Sequence, residues 1–574
     1  MFDTVIRGGL IVDGSGSPGR QGDVAIVGDR IVAVGNVEGE ARMVVAGEGL
    51  VVAPGFVDIH THYDAQLFWD PFLTPSINHG VTTIVGGNCG FTIAPLSGRP
   101  EDSEYLVRML ARVEGMSLES LQAGVPMDWT SFGEFLDRVD ASVAINAGFM
   151  VGHSALRRAV MGERAVGHRA TDEEVEAMKS LLRESIGAGG LGFSSTISST
   201  HIDADGQPVP SRHASEEELL ALASVVAEFP GTTIEFLPIP GLFGEATYDL
   251  LTRMSLAAQR PLNWNAIVPN ASAPEVHRSQ VAAGDYAEQR GARVVGLVMA
   301  DAPHLRLNLI SGLLIDSVDA MAPLFRLPLA ERTAALSDPE VRARVEPQAR
   351  AQQGYQAKYA QWQNYEIVEV FSEANAGLVG SSVGQVASER GVSPFTAFCD
   401  IAVRDGLKTN FLLRSSADDE ESWVMRGEVW KDPRTVIGAS DAGAHLDMID
   451  SFAFSSKLLS VGVRERGLLS LEEAVHQLTE VPASLIGLKD RGRLAEGGYA
   501  DLVVFDPDRI GCGPTYTRFD MPAGAGRLYA DAVGVAHVFV NGTRVVVDGE
   551  LTGEKGGGVL RSGRDTYTVA IGGS

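Results

Sequence analysis

The sequence has few cysteines, few positive charges and no long apolar run. Three cysteines in 574 residues cannot form a disulfide framework. Lys and Arg number 47 against 74 Asp and Glu, and the resulting net charge of −27 repels nucleic acid and anionic lipid. No stretch reaches the about 18 apolar residues that a membrane span needs, and the first residues lack an apolar signal segment. We therefore expect a cytoplasmic protein with a small-molecule ligand, and neither nucleic acid nor membrane as partner.

What the sequence does contain is enough apolar material for a large core. Hydrophobic residues make up 45% and charged residues 21% of the chain, a composition typical of globular proteins. These numbers do not fix the oligomeric state, and a homo-oligomer is one of the states they allow.

Both ends of the chain have the pattern of antiparallel strands. Residues 1–54 contain short alternating runs separated by glycine-containing turns, and residues 481–574 repeat this pattern, with a strong hairpin turn at Asn541-Gly542. About fifty residues cannot bury a sheet alone. We expect the two terminal segments to form one small β-sandwich.

Residues 55–480 alternate buried runs with helical patterns, which predicts parallel strands joined by helices. Eight runs can be counted, the number that a TIM-like (β/α)8 barrel requires. The region of about 300–434, between the seventh and eighth runs, is too long for an ordinary connection and predicts an insertion over the active face. The runs cover residues 56–60, 81–86, 143–151, 191–194, 232–237, 262–268, 293–298 and 435–439.

The first of these runs ends in two histidines, His60 and His62. Residues two apart on an extended chain face the same side, so both imidazoles can bind one metal ion. The carboxyl ends of barrel strands are also where active sites of such folds lie. Cys89 and Asp441 follow later strands of the same predicted barrel.

Four stretches together resemble the amidohydrolase superfamily of metal-dependent hydrolases: 54–62, 80–90, 440–441 and 492–503. Within it, Asn88-Cys89-Gly90-Phe91 is similar to the N-acyl-D-amino-acid deacylases, in which a cysteine at the second strand ligates zinc. The resemblance covers nearly the whole chain. It implies hydrolysis of N-acyl (D-)amino acids or related amides by metal-activated water. It also implies that Asp441 takes the water's proton and returns it to the leaving amine.

The chain departs from this family at two strands. The deacylases have a zinc-binding histidine on the fifth and on the sixth strand, where this sequence has Glu235 and Asn265 instead. A carboxylate can replace one ligand, whereas a neutral amide is a poor donor for zinc. We therefore expect about one zinc ion, held by His60 and His62 with Cys89 and Asp441, and a doubtful second site. A buried, non-ligating Cys89 and a helix-capping Asp441 are the alternatives.

The substrate would contact loops at the same face. Arg212 is the candidate for binding an α-carboxylate in bidentate fashion, with a structural ion pair as its alternative. His201, His153 and Asn265 are further candidates for contacts with the substrate, although each could equally be an ordinary polar residue.

Two other functions remain open from the sequence. The first is hydrolysis of a cyclic amide, but the close relatives that do this usually have a lysine at the fourth strand, and residues 191–195 contain none. The second is a ligand-binding barrel that has lost its metal chemistry, which the missing fifth- and sixth-strand histidines would favour. The sequence gives neither the acyl group nor the stereochemistry of the substrate.

Overall fold

The computed structural model describes residues 1–572 of the chain. Its centre contains eight parallel strands, one in each run that the sequence predicted, and we number them by their order in the chain. The third is in two pieces, interrupted at Met150. The strands are Phe56–Asp58, Val81–Gly86, Asn146–Phe149 with Val151–Gly152, Gly192–Thr196, Thr233–Leu237, Leu262–Ile267, Val294–Val298 and Thr435–Ile437.

These strands lie in two parallel sheets. The first, second and third strands pair in one sheet, and the third to eighth pair in the other, in sequence order. The third strand runs from one sheet into the other, and a parallel bridge between Thr61 and Ala442 links the segments that follow the first and eighth strands. The predicted α/β fold is therefore confirmed. Because the strands are parallel, the residues that follow them meet at one edge.

Helices connect most of the parallel strands. The helix Glu216–Val226 begins after Ser215, whose hydroxyl accepts a hydrogen bond from the Glu218 N–H at 3.3 Å. Such a cap satisfies a backbone donor that the first helical turn leaves free. The other helices of this region are Pro100–Val113, Leu118–Gly124, Phe132–Asp140, His153–Met161, Asp172–Gly187, Glu245–Ala258, Pro274–Glu288, Phe454–Lys457, Leu458–Glu465, Leu471–Leu478 and Glu480–Ile486.

Strands from both ends of the chain share a nine-stranded sheet. The antiparallel pair Val51–Pro54 and Leu502–Phe505 joins the two terminal segments. The C-terminal segment then leaves this sheet, and Val559–Leu560 pairs with the third parallel strand. The other strands of the shared sheet are Phe2–Ile11, Arg20–Val27, Arg30–Gly35, Ala41–Ala46, Val535–Val540, Thr543–Val547 and Glu550–Leu551.

The long segment between the seventh and eighth strands has a hydrophobic core of its own, centred on Trp362, Phe398 and Phe411. Two of its helices are Leu329–Ser337 and Pro339–Arg350. The remaining elements are the strands Leu305–Leu307, Glu366–Glu369 and Asn410–Leu413 and the helices Ala322–Phe325, Val383–Arg390, Pro394–Arg404 and Glu420–Trp430.

Within residues 1–572, none of the helices combines the length and the apolar character that crossing a bilayer requires.

Candidate metal centre and active site

The site lies where the first and eighth strands end side by side. The Ser440 hydroxyl donates to Asp58 Oδ2 at 2.6 Å and contacts the His60 carbonyl at 3.1 Å. The Asp441 N–H donates to the same carbonyl at 3.1 Å. Asp58 is fully buried, and burial raises the pKa of its carboxyl to about 7. These contacts explain why an aspartate two residues before His60 and a serine before Asp441 belong to the site.

A glycine permits the close approach of these two segments. Gly443 has a φ of +88°, and a Cβ at this position would lie 2.7 Å from the His62 backbone carbon. Any larger residue would push the segment after the eighth strand away from His62.

Three donor atoms converge at the centre of the site. Ligand atoms of His60, His62 and Cys89 all lie within 4.8 Å of one another, and the three side chains are buried. His60 Nε2 is 3.5 Å from Cys89 Sγ. Two ligands of one tetrahedral zinc, at about 2.1 and 2.3 Å from the ion, would be about 3.6 Å apart. Two imidazoles and a thiol at this spacing fit a zinc ion.

The loop that carries Cys89 is held from three sides. Cys89 has a left-handed backbone with a φ of 55°, which is uncommon for a residue with a side chain and often marks a functional site. Its N–H donates to Glu235 Oε2 at 2.8 Å. The Asn88 amide donates to the Val85 carbonyl at 2.9 Å, and the Gly90 N–H donates to the Ser194 hydroxyl at 3.1 Å. The thiol position is thus fixed by the second, fourth and fifth strands.

Asp441 faces both imidazoles. Its Oδ1 is 3.1 Å from His62 Nε2 and 3.5 Å from His60 Nε2, and 24% of its side chain is exposed. Burial alone would raise the pKa of this carboxyl, but hydrogen bonds from His60 and His62 outweigh burial and hold the pKa well below its usual range. Asp441 is therefore ionised at neutral pH and open to a small molecule.

Two residues of the site have no motif in the sequence. Glu114, at the end of the helix Pro100–Val113, is 2% exposed, and its Oε1 lies 3.2 Å from His62 Nδ1. Burial lowers the pKa of His62, but the carboxylates of Glu114 and Asp441 outweigh it and raise that pKa to about 10. His445 Nε2 lies 3.8 Å from Asp441 Oδ2. The sequence analysis predicted neither Glu114 nor His445.

Glu235 on the fifth strand lies beside Cys89 but is not one of the three converging donors. Glu235 is buried, and burial raises the pKa of its carboxyl to about 8. Its Oε2 binds the Cys89 backbone, while Oε1 is buried without a hydrogen-bond partner in the described chain. Asn265 Oδ1 is also buried and, over residues 1–572, has no hydrogen-bond partner.

The loop residues proposed to contact substrate fall into two groups. His201 packs its ring against Phe91 at 4.8 Å, and the Arg212 guanidinium donates to the His201 carbonyl at 2.9 Å. By contrast, His153 is fully buried, with Nδ1 2.8 Å from the Ser195 hydroxyl and Nε2 2.9 Å from Glu218 Oε1. Arg212 and His201 thus share one loop region, whereas both nitrogens of His153 are engaged inside the protein.

Known proteins resemble this chain over nearly its whole length. An amidohydrolase family model matches residues 44–546. A D-aminoacylase of Alcaligenes xylosoxydans xylosoxydans is 28% identical over 565 residues, which cover 97% of each chain. An N-acyl-D-aspartate deacylase of the same organism is 29% identical, over 98% of this chain and 95% of its own.

Solved structures show the same likeness. Two D-aminoacylase structures each match with a TM-score of 0.62 at 26% identity. One of them is described by its binuclear metal centre, with one-metal activation and second-metal attenuation. Both matches cover 98% of this chain and 100% of the other. An N-acyl-D-glutamate deacylase from Bordetella bronchiseptica, complexed with zinc and a phosphonate inhibitor, shares the fold with a TM-score of 0.64 at 24% identity and the same coverage. Together with the family match over most of its length, these findings show that the chain belongs to the amidohydrolase family.

Proposed function

We propose that this protein is a metal-dependent hydrolase that cleaves the amide bond of N-acyl amino acids, with D-amino acids preferred. The observation that carries the proposal is the buried group of His60, His62 and Cys89 with the partly exposed Asp441 beside it. The D preference rests on the deacylases that resemble this chain over nearly its full length.

The proposed architecture is a closed (β/α)8 barrel flanked by a small β-sandwich. The parallel bridge from Thr61 to Ala442 and the split third strand are the two points at which the parallel sheets would join into a barrel. In the shared terminal sheet, Leu502 and Val504 pack with Ile6 and Ile26, while Val503 packs with the main core. A sheet buried on both faces supports the sandwich.

His60, His62 and Cys89 would hold one zinc ion, with Asp441 and Glu235 as neighbouring carboxylates. A zinc ion in such a site lowers the pKa of water and polarises an amide carbonyl. Asp441, ionised and 24% exposed, accepts the proton of the attacking water. The same carboxyl then returns the proton to the nitrogen of the leaving amine. Glu114 keeps the His62 ring in place through the contact at Nδ1.

The proposed site for the amino-acid carboxylate is Arg212. Its side chain is half-buried and makes one hydrogen bond, to the His201 carbonyl, so further N–H groups of the guanidinium can bind a carboxylate. His201 stands beside this position. Asn265, with its buried unpartnered oxygen, is a candidate acceptor for a substrate N–H.

The direct test is amine release from a panel of amides by the zinc-loaded protein. The panel contains N-acetyl derivatives of the same amino acids in D and L form, together with cyclic amides. We expect the D forms to be hydrolysed fastest, and chelation to abolish the activity. Hydrolysis of the cyclic amides alone, or of none of the compounds, would refute the proposal.

A further inference from the structure

A cleft of about 1420 Å³ lies next to the metal centre. Pockets for small molecules usually measure about 300–1,000 Å³, so this cleft exceeds what an acetylated amino acid needs. Four distant parts of the chain form its walls. They are the turn after the helix Pro100–Val113, the loop at 202–207, the insertion, and the loop between the paired strands Tyr516–Arg518 and Arg527–Tyr529.

The inner end of the cleft touches the residues around the metal centre. Gly115, which directly follows Glu114, lines the cleft, and so does Asp447, two residues after His445. A Cβ on Gly115 would lie 3.2 Å from the Leu313 side chain and 3.4 Å from the His445 Cα. The inner end of the cleft therefore lies beside Glu114 and the segment that carries His445.

The outer wall exposes an unusual concentration of apolar side chains. The protein has 22 phenylalanines, and the two that are exposed in the described chain, Phe371 at 38% and Phe519 at 50%, both line the cleft. Their rings meet edge to face with centroids 5.8 Å apart. Ile310 and Leu329, 39% and 46% exposed, line the same wall. Apolar groups gathered in this way usually mark a binding surface.

Buried polar contacts fix this aromatic pair in place. The Phe371 N–H donates to Asp405 Oδ2 at 3.0 Å. On the other side, the Thr517 N–H donates to Glu369 Oε1 at 2.9 Å, and the Asn410 amide donates to the Thr517 hydroxyl at 2.9 Å. The loop that carries Phe519 is thereby bound to the insertion that carries Phe371.

The acidic residues of the cleft are already engaged. Asp316 pairs with Arg112 at 2.8 Å, and Asp205 pairs with Arg108 at 2.6 Å. The Asp447 carboxylate accepts a hydrogen bond from the Asn308 amide at 2.8 Å. Arg326 and Lys408 also line the cleft. The part of it suited to an apolar chain is therefore the wall formed by Phe371, Phe519, Ile310 and Leu329.

We propose that this cleft binds the hydrocarbon chain of a medium- or long-chain N-acyl group, so that the preferred substrates are N-acyl amino acids of lipid character. The hydrolysis of these substrates rests on the proposed function, whereas the binding of their hydrocarbon chain rests on the cleft alone.

The first experiment compares kcat/KM for the N-acetyl, N-octanoyl and N-dodecanoyl derivatives of one D-amino acid. For the wild type we expect kcat/KM to rise at least about tenfold from acetyl to dodecanoyl. Phe519→Ala and Phe371→Ala should each lose most of this gain while staying within about twofold of wild type on the acetyl substrate. Leu551→Ala, an equally exposed apolar position on the edge of the terminal sheet, is the matched control and should behave as wild type.

A second experiment separates the two proposals by measuring the binding of an N-dodecanoyl amino acid to metal-free protein by calorimetry. Binding that Phe519→Ala weakens supports the cleft even if no amide is hydrolysed. Hydrolysis of acetyl substrates with no effect of chain length would overturn the cleft proposal and leave the proposed function standing. The cleft proposal also fails if Phe519→Ala changes the preference between N-acetyl-leucine and N-acetyl-alanine instead, since the cleft would then hold the amino-acid side chain.

Discussion

Asp441 combines contact with the metal centre and exposure to solvent. Its Oδ1 contacts both imidazoles of the metal centre, and a quarter of its side chain remains open to solvent. The contacts keep the group ionised, and the opening lets it reach a water molecule and a substrate. A residue that acts first as a base and then as an acid needs both.

Replacing Asp441 by Asn should remove turnover while leaving the fold intact, because an amide cannot accept the proton of the attacking water. We expect kcat to fall by about 10²–10⁴-fold at full zinc loading. Unfolding temperature serves as the control for folding. A loss below about tenfold would reassign Asp441 to holding the two strand ends together.

Glu114 tests whether the contacts around the donors matter for metal binding. The carboxylate near His62 Nδ1 orients the ring and favours a donor nitrogen at Nε2. Glu114→Gln removes the charge and should weaken zinc affinity by about 10–100-fold, as measured by competition with a chelator. Glu119→Gln, an exposed change on the next helix, is the control. Equal zinc affinity in both variants would show that Glu114 only fills space.

Arg212→Lys should weaken kcat/KM for a substrate with a free carboxylate. A lysine keeps the charge but loses the bidentate contact, which costs about 1.5–3 kcal/mol if it is shielded from water. The comparison substrate is the same compound with its carboxylate amidated, for which the change should matter little. An equal loss on both substrates would show that Arg212 does not bind the carboxylate.

At the scale of elements, the sequence predicted best those features that a pattern of neighbouring residues determines. Eight buried runs predicted the eight parallel strands, and the spacing of His60 and His62 placed two donors on one face. Cys89 and Asp441 followed from strand ends and from a family resemblance. Glu114 and His445 could not be predicted in this way, because their positions depend on how a helix and a loop from different parts of the chain pack around the donors.

The helix Glu216–Val226 is attached to the helix His153–Met161 by a buried charge network. Glu218, 2% exposed, binds Arg157 Nη1 at 2.5 Å and His153 Nε2 at 2.9 Å. Burial alone would raise the pKa of Glu218, but His153 and Arg157 outweigh it and lower the pKa to about 2. The ionised group therefore stabilises the fold above its unfolded pKa of 4.5, and this stabilisation disappears as the pH falls through about 2.

Glu218→Gln should accordingly destabilise the protein by about 3–5 kcal/mol at pH 7, because it leaves a buried guanidinium unpaired. The difference from wild type should shrink as the pH falls below about 4.5. Urea unfolding at several pH values measures both effects. Glu228→Gln, which breaks the exposed pair with Arg183, is the matched control and should cost less than about 1 kcal/mol. A pH-independent difference would contradict the assigned role of the ionised carboxylate.

At the scale of the whole molecule, distant parts of the chain meet around one site. The insertion and the C-terminal segment join through Glu369 and Thr517. The sequence predicted an insertion at this place, but not its contact with the C-terminal loop, because no local pattern encodes it. The return of Val559–Leu560 to the third strand was equally hidden, since two residues are too few for a strand pattern.

The most direct test of this account is a titration of turnover against bound zinc. The metal-free protein is loaded stepwise, zinc per chain is measured by elemental analysis, and hydrolysis of an N-acyl-D-amino acid is followed in each sample. We expect no activity without metal and a linear rise to a maximum at about one zinc per chain. Full turnover in metal-free protein, or no turnover at any zinc content, would contradict it.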